Sequence, residues 1–175
     1  MSVVIVFVNN QDQGVDFLGK ALLSLLDRKY FVFTRMESQY PVCPIEKTMD
    51  KLREICNHIE EQQIIVSFGC RVLPGNIKEI ETLASKQPGN AVFLKRLRGS
   101  KTWRVEPNGD LIFDNERIAD CGIFVISKQD LLKSNHVNFN AFIRHLITTK
   151  NLKPLFVDFW LFANSAKDTG KYVKR

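Results

Sequence analysis

A mixed, mostly parallel α/β sheet flanked by helices, with a β-hairpin inserted in its second half, is the fold this sequence predicts. Three observations predict it. Short β-branched runs alternate three times with helical stripes in the first half. The rhythm then shifts to shorter strands after Ala91, and capped helices and a last apolar segment close the chain. The 175 residues are 45% apolar and 25% charged, with nine glycines and six prolines. That composition excludes a disordered or collagen-like chain, and a chain of this length can build a core without disulfides or metal.

Each element has a local reason. Val3 to Asn9 is an unbroken run of the kind that suits a strand buried on both faces. Phe17, Ala21, Leu22, Leu25 and Leu26 recur at helical spacing. Tyr30 to Thr34 reads as the second strand. Ile45, Met49, Leu52, Ile55 and Ile59 then step by three or four, which predicts an amphipathic helix. Ile64 to Phe68 is a third buried strand, and Pro74-Gly75-Asn76 introduces a helix carrying Ile77, Ile80 and Ala84.

Ala91 to Leu97, Thr102 to Glu106 and Leu111 to Asp114 read as short strands, the last two joined by Pro107-Asn108-Gly109-Asp110, a tight type I′ hairpin signal. Arg117 to Ile126 ends in an apolar run. Ser127 with Asp130 predicts a capped short helix, and Asn138 caps a helix striped by Phe139, Phe142, Ile143 and Leu146. Leu155 to Phe162 is the final strand. The result is a Rossmann-like sheet, with residues 1–165 expected to form one domain and 166–175 a polar tail.

Lys and Arg outnumber Asp and Glu by 25 to 19, a net charge of +6 that gives mild affinity for anions. No apolar run approaches the roughly 20 residues of a membrane span, so no membrane partner is expected. The four cysteines, Cys43, Cys56, Cys70 and Cys121, form no C-x-x-C pair, and the three histidines supply no zinc-like spacing. Scattered thiols and the lack of a signal segment point to the cytoplasm, and no metal site is expected.

Gly14-x-x-x-x-Gly19-Lys20-Ala21 matches a phosphate loop until its last position, where Ala21 lacks the hydroxyl that would ligate magnesium. Lys95, Arg96, Arg98, Lys101, Trp103 and Arg104 form a basic segment around an indole, which could neutralise phosphates while Trp103 stacks on a base. No G-x-S-x-G occurs, so nucleophilic catalysis has no anchor.

Several segments resemble the sugar-phosphate nucleotidyltransferase superfamily, the fold of the pyrophosphorylases that make nucleotide sugars. Gly19-Lys20-Ala21-Leu22-Leu23-Ser24-Leu25-Leu26 is similar to its lysine-bearing segment. Trp103 to Ile112 looks like its central hairpin, and Asp120-Cys121-Gly122-Ile123-Phe124-Val125-Ile126 like a later strand. Trp160 to Asp168 is similar to the closing segment. The resemblance implies a glycine-rich loop around a triphosphate; here the loop Asn9-Asn10-Gln11-Asp12-Gln13-Gly14 has one glycine and no arginine. It also implies a magnesium-binding carboxylate after the third strand, where Gly69 is followed by Cys70, and a second at Phe162. Neither side chain suits a hard cation.

The resemblance therefore implies a degenerate copy that retains the scaffold without magnesium-dependent catalysis. Such a protein would bind a nucleotide or sugar phosphate or act as an interaction subunit with a protein partner. Its ligand is expected beyond the C-terminal ends of the first and third strands, near Asn9, Asn10, Gln13, Gly14, Lys20, Gly69, Cys70 and Arg71. Two alternatives stand beside it. One is a nucleic-acid-binding module built on Lys95 to Arg104. The other is an active nucleotidyltransferase that uses magnesium, with ligands such as Asp12, Asp158 or Asp168.

Overall fold

The computed structural model describes residues 2–8, 17–35, 39–70, 72–96, 102–105, 111–114 and 118–158, with backbone alone for 17, 95–96, 102–105, 111–114 and 118–120. Val3–Val8 forms β1, and all six of its residues are buried. It lies between β2 (Lys29–Thr34) and β3 (Gln63–Phe68), parallel to both. On the far side of β3 runs β7 (Ile118–Ser127), antiparallel to β3 and to β4 (Asn90–Arg96). The edge strand β8 (Leu152–Phe156) is parallel to β4. The order is therefore β2-β1-β3-β7-β4-β8, with β7 alone reversed. The expected hairpin is present: β5 (Thr102–Val105) pairs with β6 (Leu111–Asp114) and touches β7 through Trp103 and Ile118. Its turn, at 107–110, lies outside the described residues.

Alternation along β1 divides the core. Val4, Val6 and Val8 point into one cluster with Ala21 of α1 (Phe17–Ser24) and with Ile77, Ile80 and Ala84 of α3 (Ile77–Ser85). Val3, Ile5 and Phe7 point into the other, with Met49 and Leu52 of α2 (Thr48–Cys56). That second face also takes Leu131 of α4 (Lys128–Lys133) and Phe142, Ile143 and Leu146 of α5 (Phe139–Thr148). Each large apolar side chain so buried contributes about 1.5–3 kcal/mol. The chain passes from β1 outward to β2, then crosses back over β1 to β3, so α1 and α2 fall on opposite faces. The reversal leaves a crevice beyond the carboxyl ends of these strands, which is where open α/β sheets place ligands.

Two caps read from the sequence are made. Ser127 accepts from the Asp130 amide at 3.4 Å, and Asn138 Oδ1 accepts from the Ala141 amide at 2.7 Å. α1 ends at Ser24, two residues before its apolar stripe does, and two other boundaries also differ from expectation. The amphipathic helix begins as a 3-10 turn at Ile45–Lys47 and its α part ends at Cys56, although Ile59 beyond it is still buried. The last strand starts at Leu152, three residues earlier than its apolar run indicates. Pro154 obscures that start, and it is tolerated because β8 is an edge strand paired on one side only, with β4.

Candidate functional site

At the carboxyl end of β1 and β3, on the α2 and α5 face, the side chains leave a hollow of about 590 Å³. Aromatic rings make its floor and wall: Phe7, Phe68, Phe124 and Phe139. Phe7 stacks on Phe68 with centroids 5.5 Å apart, and Phe139 meets Phe68 at 4.9 Å and Phe124 at 5.1 Å, both edge-on. Phe7 and Phe124 are buried, whereas Phe68 and Phe139 are partly open. The starts of α2 and α5 complete the rim through Ile45, Thr48, Asn138 and Asn140.

Backbone geometry holds this end of the sheet open. Gly69, with φ +103°, turns the chain off β3 while its N–H donates to the Phe7 carbonyl at 2.8 Å. On the other flank β7 bulges. Val92 pairs with Phe124 but Leu94 pairs with Asp120, so four residues of β7 span two of β4. Gly122 sits inside the bulge at φ +75°, and a Cβ there would stand 2.8 Å from the Phe68 carbonyl oxygen. Only glycine fits both the dihedral and the close approach.

Among the described lining residues, one guanidinium serves the hollow. Arg35 follows β2 directly and is half-buried, with its guanidinium carbon 4.4 Å from the Phe7 centroid and 6.0 Å from that of Phe68. Its Nη1 donates to Thr48 Oγ1 at 2.8 Å and to the Cys43 carbonyl at 3.1 Å. Thr48 in turn donates to the Ile45 carbonyl at 2.8 Å, which locks the hydroxyl as an acceptor for Arg35. Burial lowers the Arg35 pKa, with Cys43 opposing the shift, but a guanidinium stays charged. Burial likewise pushes the Cys43 thiol up, with Arg35 opposing it. Among the described residues no carboxylate lines the hollow or pairs with Arg35, and no group of three or more His, Cys, Asp or Glu could hold a metal ion.

The residues singled out from the sequence fall in several places. Asn9, Asn10, Asp12, Gln13, Gly14, Arg71, Phe162 and Asp168 lie outside the described residues. Lys20 is exposed on α1, which packs against the opposite face. Gly69 adjoins the hollow through Phe7 and Phe68. Cys70 is 0% exposed and packs into the α1 and α3 cluster, so it does not line the hollow. Asp158, exposed just past β8, does not line it either. Of the basic segment, Arg98 and Lys101 lie outside the described residues. Lys95 and Arg96 end β4, and Trp103 and Arg104 belong to β5, with Arg96 and Trp103 both in register with Ile118.

Arg35, Thr48, Asn138 and Phe139 were not legible as site residues. The available signal was positional: Arg35 ends a strand at the edge where α/β sheets place ligands, and Asn138 opens a helix aimed at it.

No family model matches the sequence, and no curated protein matches it. Solved structures share its fold. HddC from Yersinia pseudotuberculosis superposes with a TM-score of 0.66 at 12% identity, over 98% of each chain. A candidate glucose-1-phosphate thymidylyltransferase from Bacillus anthracis, in complex with sucrose, gives 0.70 at 10% identity over 97% of this chain and 93% of that one. The 4-diphosphocytidyl-2C-methyl-D-erythritol synthase of Anaerococcus prevotii gives 0.55 at 8% identity over 96% and 94%. At such identities the likeness is one of fold: this chain has a Rossmann-like, nucleotidyltransferase-like α/β fold.

Proposed function

We propose that this protein binds a nucleotide or sugar phosphate at the carboxyl edge of its sheet and performs no magnesium-dependent nucleotidyl transfer. The observation that carries the reading is the hollow itself, with aromatic walls, one guanidinium and no carboxylate among its described lining residues. Nucleotidyl transfer needs a divalent ion to offset charge at the attacked phosphate. Cys70, where the resemblance implies a metal-binding acid, is a thiol buried among aliphatic side chains. One fold neighbour supports a ligand of this class: HddC has been solved with GMP-PN. The four cysteines form no disulfide, which fits a reducing cytoplasm. No described helix is long and apolar enough to cross a membrane.

Calorimetric titration with nucleotides and sugar phosphates, with and without Mg²⁺, tests the reading. Binding that is indifferent to Mg²⁺, without pyrophosphate release, supports it. Pyrophosphate release that requires Mg²⁺ overturns it in favour of an active transferase, and absence of binding overturns it outright.

A second reading, a nucleic-acid surface around Arg96 and Trp103, draws support from their shared register with Ile118. It requires affinity for single strands that falls steeply with salt and that Arg96→Glu weakens.

A further inference from the structure

The donors of Arg35 divide into an engaged half and an open half. Nη1 is committed to Thr48 and Cys43, while Nε and Nη2 have no hydrogen-bond partner among the described residues. Those two nitrogens form the edge of the guanidinium that grips two oxygens of one phosphate at once. The planar group is already fixed against Phe7 and anchored through Nη1, so little rotamer freedom remains to be lost on binding. Beside it stand two partly open rings, Phe68 and Phe139, against which a flat base or the apolar face of a sugar can pack. Asn138 uses Oδ1 to cap α5, and its amide nitrogen has no partner among the described residues.

Charge decides how many phosphates this arrangement suits. One guanidinium offsets at least half of the charge of a phosphomonoester, about −1.5 to −2 at pH 7. A triphosphate brings more negative charge and ordinarily arrives with Mg²⁺, for which the described lining offers no carboxylate. We propose that the hollow takes a ring bearing a single phosphate, either a nucleoside monophosphate or a sugar monophosphate, gripped by Arg35 through Nε and Nη2 and stacked on Phe68 and Phe139, without a divalent ion. This inference rests on the ligand-binding reading above and narrows its ligand class.

The test is titration in EDTA with the four common nucleoside monophosphates, glucose 1-phosphate, the matching nucleosides and triphosphates, and inorganic phosphate. The expected order is monophosphate first, the nucleoside and inorganic phosphate each at least about tenfold weaker, and the triphosphate no tighter than the monophosphate. Preference for nucleotides over glucose 1-phosphate, or the reverse, identifies the ring. Arg35→Gln should weaken monophosphate binding about 10–100-fold while leaving nucleoside binding unchanged, the range expected for a charge-assisted pair. Arg35→Lys, which keeps the charge and removes the planar fork, should recover only part of that loss. Circular dichroism melts identify any variant that fails to fold, and phosphate competition against the wild type then stands in its place. Tighter binding of a triphosphate with Mg²⁺ would overturn the monophosphate assignment and leave the broader reading standing. No binding of any phosphorylated ring would overturn both.

Discussion

The two faces of the sheet end differently at the same strand termini. On the α1 and α3 face, Val4, Val6, Val8, Ile65 and Cys70 join Ala21, Leu73, Ile77 and Ile80 in one buried, mainly aliphatic cluster. On the α2 and α5 face, Phe7 stacks on Phe68, Phe139 meets Phe68 and Phe124 edge-on, and the four rings line a hollow. Short aliphatic side chains interdigitate, whereas rigid rings in offset pairs pack against one another and leave gaps where no further side chain enters. One strand thus sends its even residues into the aliphatic cluster and its odd ones into the cluster whose Phe7 lines the hollow.

The largest expected effect breaks the aliphatic face. Cys70→Asp restores a carboxylate where the resemblance implies one, but puts its charge at a fully buried position in a mainly aliphatic cluster. A loss of roughly 3–5 kcal/mol is expected in urea denaturation, without rescue by Mg²⁺. Stability recovered by Mg²⁺ would show instead that Cys70 faces a usable cation site.

Next comes the bulge. Gly122→Ala forces a Cβ against the Phe68 carbonyl at a positive φ, so a loss of about 2–3 kcal/mol is expected by the same measurement, together with weaker ligand binding. An unchanged midpoint would mean that the bulge relaxes freely and does not hold the hollow open.

A pH experiment sharpens the contrast from within the core of the α2 and α5 face. Burial pushes the Cys56 thiol up to about 11, with Lys128 opposing the shift. The unfolded thiol ionises near 9.0 and the folded one near 11, so the unfolded state sheds its proton first. The stability held by the neutral thiol is therefore complete below pH 9 and is lost as pH rises towards 11. The loss is about 2 kcal/mol more than in Cys56→Ala, whose profile isolates this group from other alkaline titrations. Identical alkaline profiles for the two proteins would contradict the burial argument.

The smallest effect lies at the surface. Arg28 reaches Glu81 at 2.9 Å, part-exposed, and Arg28→Ala should cost no more than about 1 kcal/mol and fade with salt. A larger, salt-insensitive loss would show that this pair ties β2 to α3 as a structural clasp.

Much of this contrast was legible before any coordinates. The unbroken run Val3–Val8 announces a strand covered on both faces, and Ser127 with Asp130 and Asn138 announce the starts of α4 and α5 because capping chemistry is local. The hollow is not local. Arg35 and Asn138 are distant in sequence, and each has an ordinary duty there, ending a strand and capping a helix. Only the assembled sheet, with α5 packed on the same face as α2, brings them to one hollow. Beside Gly69, Cys70 stands where the resemblance implies a metal-binding acid, yet one residue past the turn it enters the aliphatic cluster. Sequence fixes the order of neighbours along a strand; the face on which a residue emerges after a positive-φ turn depends on the fold.

Backbone amide chemical-shift mapping with a nucleoside monophosphate in EDTA tests the central claim most directly. The account predicts saturable shifts around Phe7, Arg35, Thr48, Phe68, Gly122 and Phe139, with those of Lys20 and the α1 face unmoved. Shifts confined to α1 and Cys70, or appearing only once Mg²⁺ is added, would contradict it.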